Sequence, residues 1–116
     1  MEARRQYDLE ERTFLFAKTV SRFVESVSKN ISNTEYCKQV IRSSGSVGAN
    51  YIEANESLGK KDFMMRIKIC RKEAKETRYW LKLITCTTQE DENRRSLIQE
   101  STELTKIFGA ILKKSK

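Results

Sequence analysis

Between Lys60 and Cys86 the chain places Phe63, Ile67, Cys70, Ala74, Thr77, Leu81 and Ile84 at alternating intervals of four and three residues. An α-helix gathers positions spaced this way into one stripe, and an unbroken 4-3 repeat is the seam of a helix packed lengthwise on other helices. The rest of the segment divides into two flanks at roughly 100° per residue. Lys60, Lys61, Lys68, Arg71, Lys72, Lys75, Arg78 and Lys82 fall on one flank with no acid among them. Met65, Ile69, Trp80 and Leu83 fall on the other, beside Glu73 and Glu76. The seam sets the fold, the cationic stripe points to a polyanion, and the second apolar stripe points to a partner subunit.

Three further segments carry the same kind of seam. A first helix is expected over about residues 7–28, with Leu9, Thr13, Phe16, Val20, Phe23 and Val27 inward. A second is expected over about 33–57, through Cys37, Val40, Ser44, Val47, Tyr51 and Ala54. Ser32 with Glu35 fits a capping box at its start, and Gly59, tolerant of the left-handed conformation, fits its end. The third spans about 60–86. The fourth spans about 91–113, through Leu97, Ser101, Leu104, Phe108 and Ile111, with Thr87 or Thr88 as its N-cap. Lys113, Lys114 and Lys116 lie where cations oppose a helix dipole favourably.

With 116 residues, no Pro and four Gly, the chain holds one domain and too little punctuation for a sandwich or barrel. Short links make sequential helices antiparallel neighbours. The expected fold is all-α, an up-down-up-down antiparallel four-helix bundle over residues 1–116. A third of the seam is small or polar: Thr13, Cys37, Ser44, Ala54, Cys70, Ala74, Thr77 and Ser101. So thin a core leaves little margin over chain entropy, which implies more apolar surface buried between subunits.

Charge and residue types exclude several functions. The formal charge of +7 favours partners of opposite sign, such as nucleic acid or an acidic protein. No apolar run is long enough to span a membrane, and Met-Glu-Ala-Arg-Arg leads into no secretory h-region. Three widely spaced cysteines, two of them on seams, read as buried hydrophobes of a reducing cytoplasm. With no His there is no Ser-His or Cys-His pair and no Glu-x-x-His di-metal motif. Gly45 and Gly48 sit inside a helix, not in a phosphate loop after a strand. The expectation is a non-enzymatic protein with no metal and no cofactor.

Two constellations remain. Arg42, Ser46, Asn50 and Glu53 share one flank of the second helix, facing Glu73 and Glu76 of the third. They are read as a polar network that fixes helix register, with the glutamates pairing to Arg42 or Arg66. Lys68, Arg71, Lys72, Lys75, Arg78 and Lys82 extend about 20 Å along the third helix, enough for several backbone phosphates. Tyr79 stands at the edge of this stripe, where it can stack on an unpaired base. A solvated face mixes signs, and this one does not. Met65, Ile69, Trp80 and Leu83 form the expected subunit interface, since Trp and Met are enriched at such contacts.

The stretches RSSGSVGANYIEA (Arg42 to Ala54) and KICRKEAKETRYWLKLI (Lys68 to Ile84) resemble the bacterial S23, or 23S rRNA intervening-sequence, proteins. The pattern Arg-Ser-x-x-Ser-x-x-x-Asn-x-x-Glu is met by Arg42, Ser43, Ser46, Asn50 and Glu53. The pattern Glu-x-x-x-Trp-Leu is met by Glu76, Trp80 and Leu81. The resemblance implies a four-helix bundle assembled as a homopentameric ring. A similar branch, the accessory variability proteins of diversity-generating retroelements, implies a basic pentamer that binds nucleic acid and a reverse transcriptase. The family takes its name from the location of its genes and not from an activity. The functional expectation is therefore an oligomer that binds nucleic acid, RNA favoured. The alternative is a scaffold that docks an acidic or reverse-transcriptase-type protein.

Overall fold

The four amphipathic segments form four helices: α1 Glu2–Ser26, α2 Ile31–Asn55, α3 Lys60–Leu83 and α4 Thr88–Lys114. The computed structural model describes the backbone of residues 2–116 and the side chains from residue 8 onward. Met1 and the side chains of the opening stretch read for a leader lie outside the described residues. Helices adjacent in sequence are adjacent in space, and α4 closes back on α1, giving the up-down-up-down bundle. The α2–α3 contact is the most extensive and the α1–α4 contact the least. No described helix is long and apolar enough to cross a membrane.

The seams account for the core. Every predicted seam position is buried except Phe63 and Ile111, which are half-buried. In α4 the inward position after Phe108 is Leu112 and not Ile111, so the spacing there lengthens from three to four. Phe108, Ile67, Leu81 and Leu104 are fully buried, and the Tyr51 and Phe108 rings tilt together at 6.0 Å. Each such side chain contributes roughly 1.5–3 kcal/mol on burial. Cys37 and Cys70 are buried free thiols, as their seam positions require, and burial pushes the Cys70 thiol up to about 12.

The ends of the helices differ from expectation in two places. Ser32 does not cap α2; Asn30 does, accepting from the Asn33 N–H at 2.8 Å. The reason is tertiary. Asn33 is drawn into the core, and its side chain joins Ser28 and Thr85 at 2.8–3.0 Å, tying the α1–α2 link to the α3–α4 link. Gly59 takes no left-handed conformation; α2 closes on a tight turn from Glu56 and Ser57 to Glu53 and Ala54, and Gly59 becomes the extended N-cap of α3. At α4 the expected cap is present, with Thr87 and Glu90 forming a reciprocal capping box. Cations close two C-termini: Lys29 donates to Val24 and Val27 carbonyls, and Arg94 to the Ile84 carbonyl.

The small residues of α2 have distinct causes. Ser43 faces Thr77 of α3, their hydroxyl oxygens 2.7 Å apart and both fully buried. Gly48 meets α1: a Cβ there would lie 3.0 Å from Thr13 Oγ1 and 3.3 Å from Thr13 Cβ. Gly45 meets nothing within 4 Å. The two glycines should therefore respond to alanine with opposite signs. Gly45→Ala is expected to stabilise by roughly 0.5–1 kcal/mol through helix propensity alone. Gly48→Ala gains the same propensity but forces α1 away from a β-branched neighbour, a net loss of roughly 1 kcal/mol. Urea unfolding of the two single variants checks this, and shifts of the same sign would refute it.

α1 is held to α4 by a fork. Arg12 donates to Glu100 at 2.7 and 2.9 Å and to Glu103 at 2.9 Å. The Glu103 carboxyl is held below its usual range, first by the Gln99 hydrogen bond and then by Arg12. Asp91 is lowered too, chiefly by the hydrogen bond from Arg94. Lowered carboxyls stabilise the fold at neutral pH, and that contribution is lost as pH falls through their folded values.

Candidate nucleic-acid interface

α3 presents the predicted cations together. Lys68, Arg71, Lys72, Lys75, Arg78 and Lys82 are all exposed, and none is within ion-pair distance of an acid among the described residues. Their isolation follows from where the acids point. Asp62, Glu73 and Glu76, the acids of α3, lie on its α2-facing side. Glu100 and Glu103 of α4 turn to Arg12, and Asp91 to Arg94 and Arg95. The result is a continuous positive crest with one acid, Glu76, at its border, and that carboxylate is turned to Arg42.

Tyr79 stands at the edge of this crest with 60 % of its surface exposed. Its ring meets Trp80 edge-on at 5.1 Å, and Trp80 in turn stacks on Tyr36 of α2 at 6.1 Å. Tyr79 is thus braced from behind and open in front, a geometry suited to stacking on a planar ring.

A furrow of about 720 Å³ borders the crest on its α4 side. Lys68, Arg71, Lys72 and Lys75 stand on one bank beside Glu76, with Lys113 and Lys116 of α4 on the other and Met64, Gly109 and Leu112 among the lining. Lys113 and Lys116 read, in the sequence, only as partners of the helix dipole. No sequence spacing links them to α3, because only the antiparallel packing brings them there.

The polar network forms in two pieces. Arg42 reaches Glu73 at 3.4 Å and Glu76 at 3.3 Å, and Glu73 is only 6 % exposed. Two turns further along, Arg66 donates to Asn50 Oδ1 at 3.1 Å, and Asn50 Nδ2 donates to Ser46 Oγ at 2.9 Å. Glu53 does not join. The register set by these pairs places it level with Asp62 and Phe63, which offer no donor, and its side chain is exposed. Arg66 is the member the helical ladder of α2 alone did not contain.

The second apolar stripe is only partly free. Met65 is 50 % exposed and Leu83 is exposed as well, while Ile69 is half-buried. Trp80 packs on the core edge and on Tyr36 of its own chain, so much of its surface is already used. Other large apolar side chains lie open on α1 and α2, among them Phe14, Ile41 and Ile52. Among the described residues no three Cys, Asp or Glu side chains converge as metal ligands would.

Comparison with known proteins gives a consistent placement. A search of curated proteins returned no match. Among solved structures, one from Bacteroides thetaiotaomicron, described as a protein of unknown function from the S23 ribosomal protein family, is similar. It shares 30 % identity, covering 93 % of this chain and 97 % of its own, with a TM-score of 0.76. The model of the 23S rRNA-intervening sequence protein family matches residues 5–110, nearly the whole bundle. On both the sequence match and the shared fold, the chain belongs to the 23S rRNA-intervening sequence protein family.

Proposed function

We propose that the chain is a non-enzymatic, homo-oligomeric binding protein that holds RNA against the cationic crest of α3. The observation that carries this reading is that six exposed cations line one helix with no acid within ion-pair distance among the described residues. Their charge is uncompensated and aligned over about 20 Å, the spacing of several phosphates. Tyr79 supplies an exposed ring for base stacking beside them. Family membership supports an association with 23S rRNA genes without naming an activity.

The oligomer is proposed as a ring of five, on the resemblance and on the exposed apolar side chains Met65 and Leu83 of α3. Binding is expected to be electrostatic. Anisotropy of a labelled single-stranded RNA, titrated between 50 and 200 mM salt, should show affinity falling steeply. A slope of about −0.7 per phosphate contact gives roughly −4 for six contacts. Absence of binding at the lower salt, or a flat slope, would overturn the reading.

The open flank formed by Met65 and Leu83 favours a second reading, a scaffold for an acidic or reverse-transcriptase-type partner. Partners retained in a pull-down after nuclease digestion would favour it over RNA binding.

A further inference from the structure

The C-terminal half of α4 is segregated in charge as well. Its α3-facing flank runs through Ile98, Thr102, Thr105, Gly109, Lys113 and Lys116, with no acid among them. Glu100 and Glu103 sit on the opposite flank, held by Arg12 of α1 at 2.7 and 2.9 Å. The furrow between the two helices therefore carries six cations on its two banks against one acid, Glu76, which is itself paired to Arg42. Gly109 keeps the floor low: a Cβ built there would reach only the Arg71 Nε, at 3.7 Å. A larger residue at this point would fill the space between Arg71 and the lysines of α4.

We propose that this furrow seats one polynucleotide strand, so that the ligand of the crest is single-stranded RNA and the α4 lysines are part of its site. The inference rests on the RNA-binding reading above and narrows it. Packed helix axes lie about 8–10 Å apart, so the furrow between them admits a single phosphate backbone, whereas a double helix can touch only the crest. A cationic groove that tracks one backbone, beside an aromatic ring for a base, is the general design of single-strand binding. Tyr79 meets the second requirement from the crest, one turn from Lys75 and Lys82. From Lys68 to Lys75 the bank measures about 10 Å, room for about three phosphates at a stacked spacing of about 3.4 Å.

The test is anisotropy with a labelled oligouridylate and with an RNA duplex of equal length, against three variants of the full chain. The wild type is expected to prefer the single strand by at least about tenfold. Lys113→Glu with Lys116→Glu, which leaves every α3 cation in place, should weaken the single strand about tenfold. It should also lower the salt slope by about 1.4, with duplex affinity moving less than about twofold. Gly109→Glu removes no lysine and improves helix propensity, yet puts an acid on the floor, and should weaken the single strand in the same sense. Far-UV circular dichroism and thermal unfolding confirm that each variant is folded. Equal affinity for duplex and single strand would overturn the furrow. So would unchanged single-strand binding in the α4 variants while Lys72→Glu with Lys75→Glu still weakens it, an outcome that leaves the crest as the RNA site. If no variant on either helix alters binding, the furrow and the broader RNA-binding reading fall together.

Discussion

Reversing two charges at the middle of the crest, Lys72→Glu with Lys75→Glu, is expected to weaken RNA binding about 100-fold and leave the fold intact. The two residues lie side by side, one turn apart, on the exposed face of α3. Neither has an acidic partner among the described residues, so neither contributes an ion pair to the bundle. In the complex each would neutralise a phosphate and release a condensed counterion. Reversal removes both contacts and sets two carboxylates against the backbone. A 100-fold loss corresponds to about 2.7 kcal/mol. The salt slope should fall by at least about 1.4. Exposed substitutions of this kind stay within roughly 0.5 kcal/mol in stability, so thermal unfolding should shift by no more than about 3 °C. Full affinity in the double variant would remove the crest from the site. A comparable loss on Lys38→Glu, on α2 and away from the crest, would show that only net charge matters.

The largest effect on the fold is expected from Asn33→Ala, at about 3 kcal/mol. Asn33 is 1 % exposed and lies where the two links at one end of the bundle meet. Its amide donates to the Ser28 and Thr85 carbonyls at 2.9 and 2.8 Å, and its Oδ1 accepts from the Thr85 N–H at 3.0 Å. Alanine removes all three bonds and leaves the backbone groups of Ser28 and Thr85, both exposed residues, to solvent. Each lost bond costs about 1 kcal/mol net. The substitution also loosens the register of both links at once. Urea unfolding measures it directly. A loss below about 1 kcal/mol would mean that water or a rearranged link satisfies the same groups. Asp at this position should be little better, because it keeps the acceptor but loses both donations.

Local rules reached most of the architecture. A seam every three or four residues needs no knowledge of its partner, so Phe63 through Ile84 declared α3 and its inward face without help. The Thr87–Glu90 capping box is equally local, spanning four residues. The crest was legible for the same reason: one helix period decides which side chains stand together. What escaped depends on residues distant in sequence. Asn33 became a core residue, and Ser32 lost its cap, because Thr85 lies 52 positions away. Glu53 fell outside the network because register against α3 decides which rungs of a ladder meet a donor. Lys113 and Lys116 joined the cationic surface only through antiparallel packing against Arg71 and Lys75. The reading of Gly59 failed differently: glycine suits several ends of structure, and here it begins a helix in extended conformation without closing the previous one.

The sorting of charge on α3 also acts on the protein itself. Lys68, Arg71, Lys72 and Lys75 stand three or four positions apart, the intervals at which like charges repel by roughly 0.2–0.5 kcal/mol a pair. The bundle thus carries a standing internal tension along its most prominent ridge. An arriving strand of phosphates would relax that tension as well as satisfy it, so the host should be a firmer object when occupied than when bare.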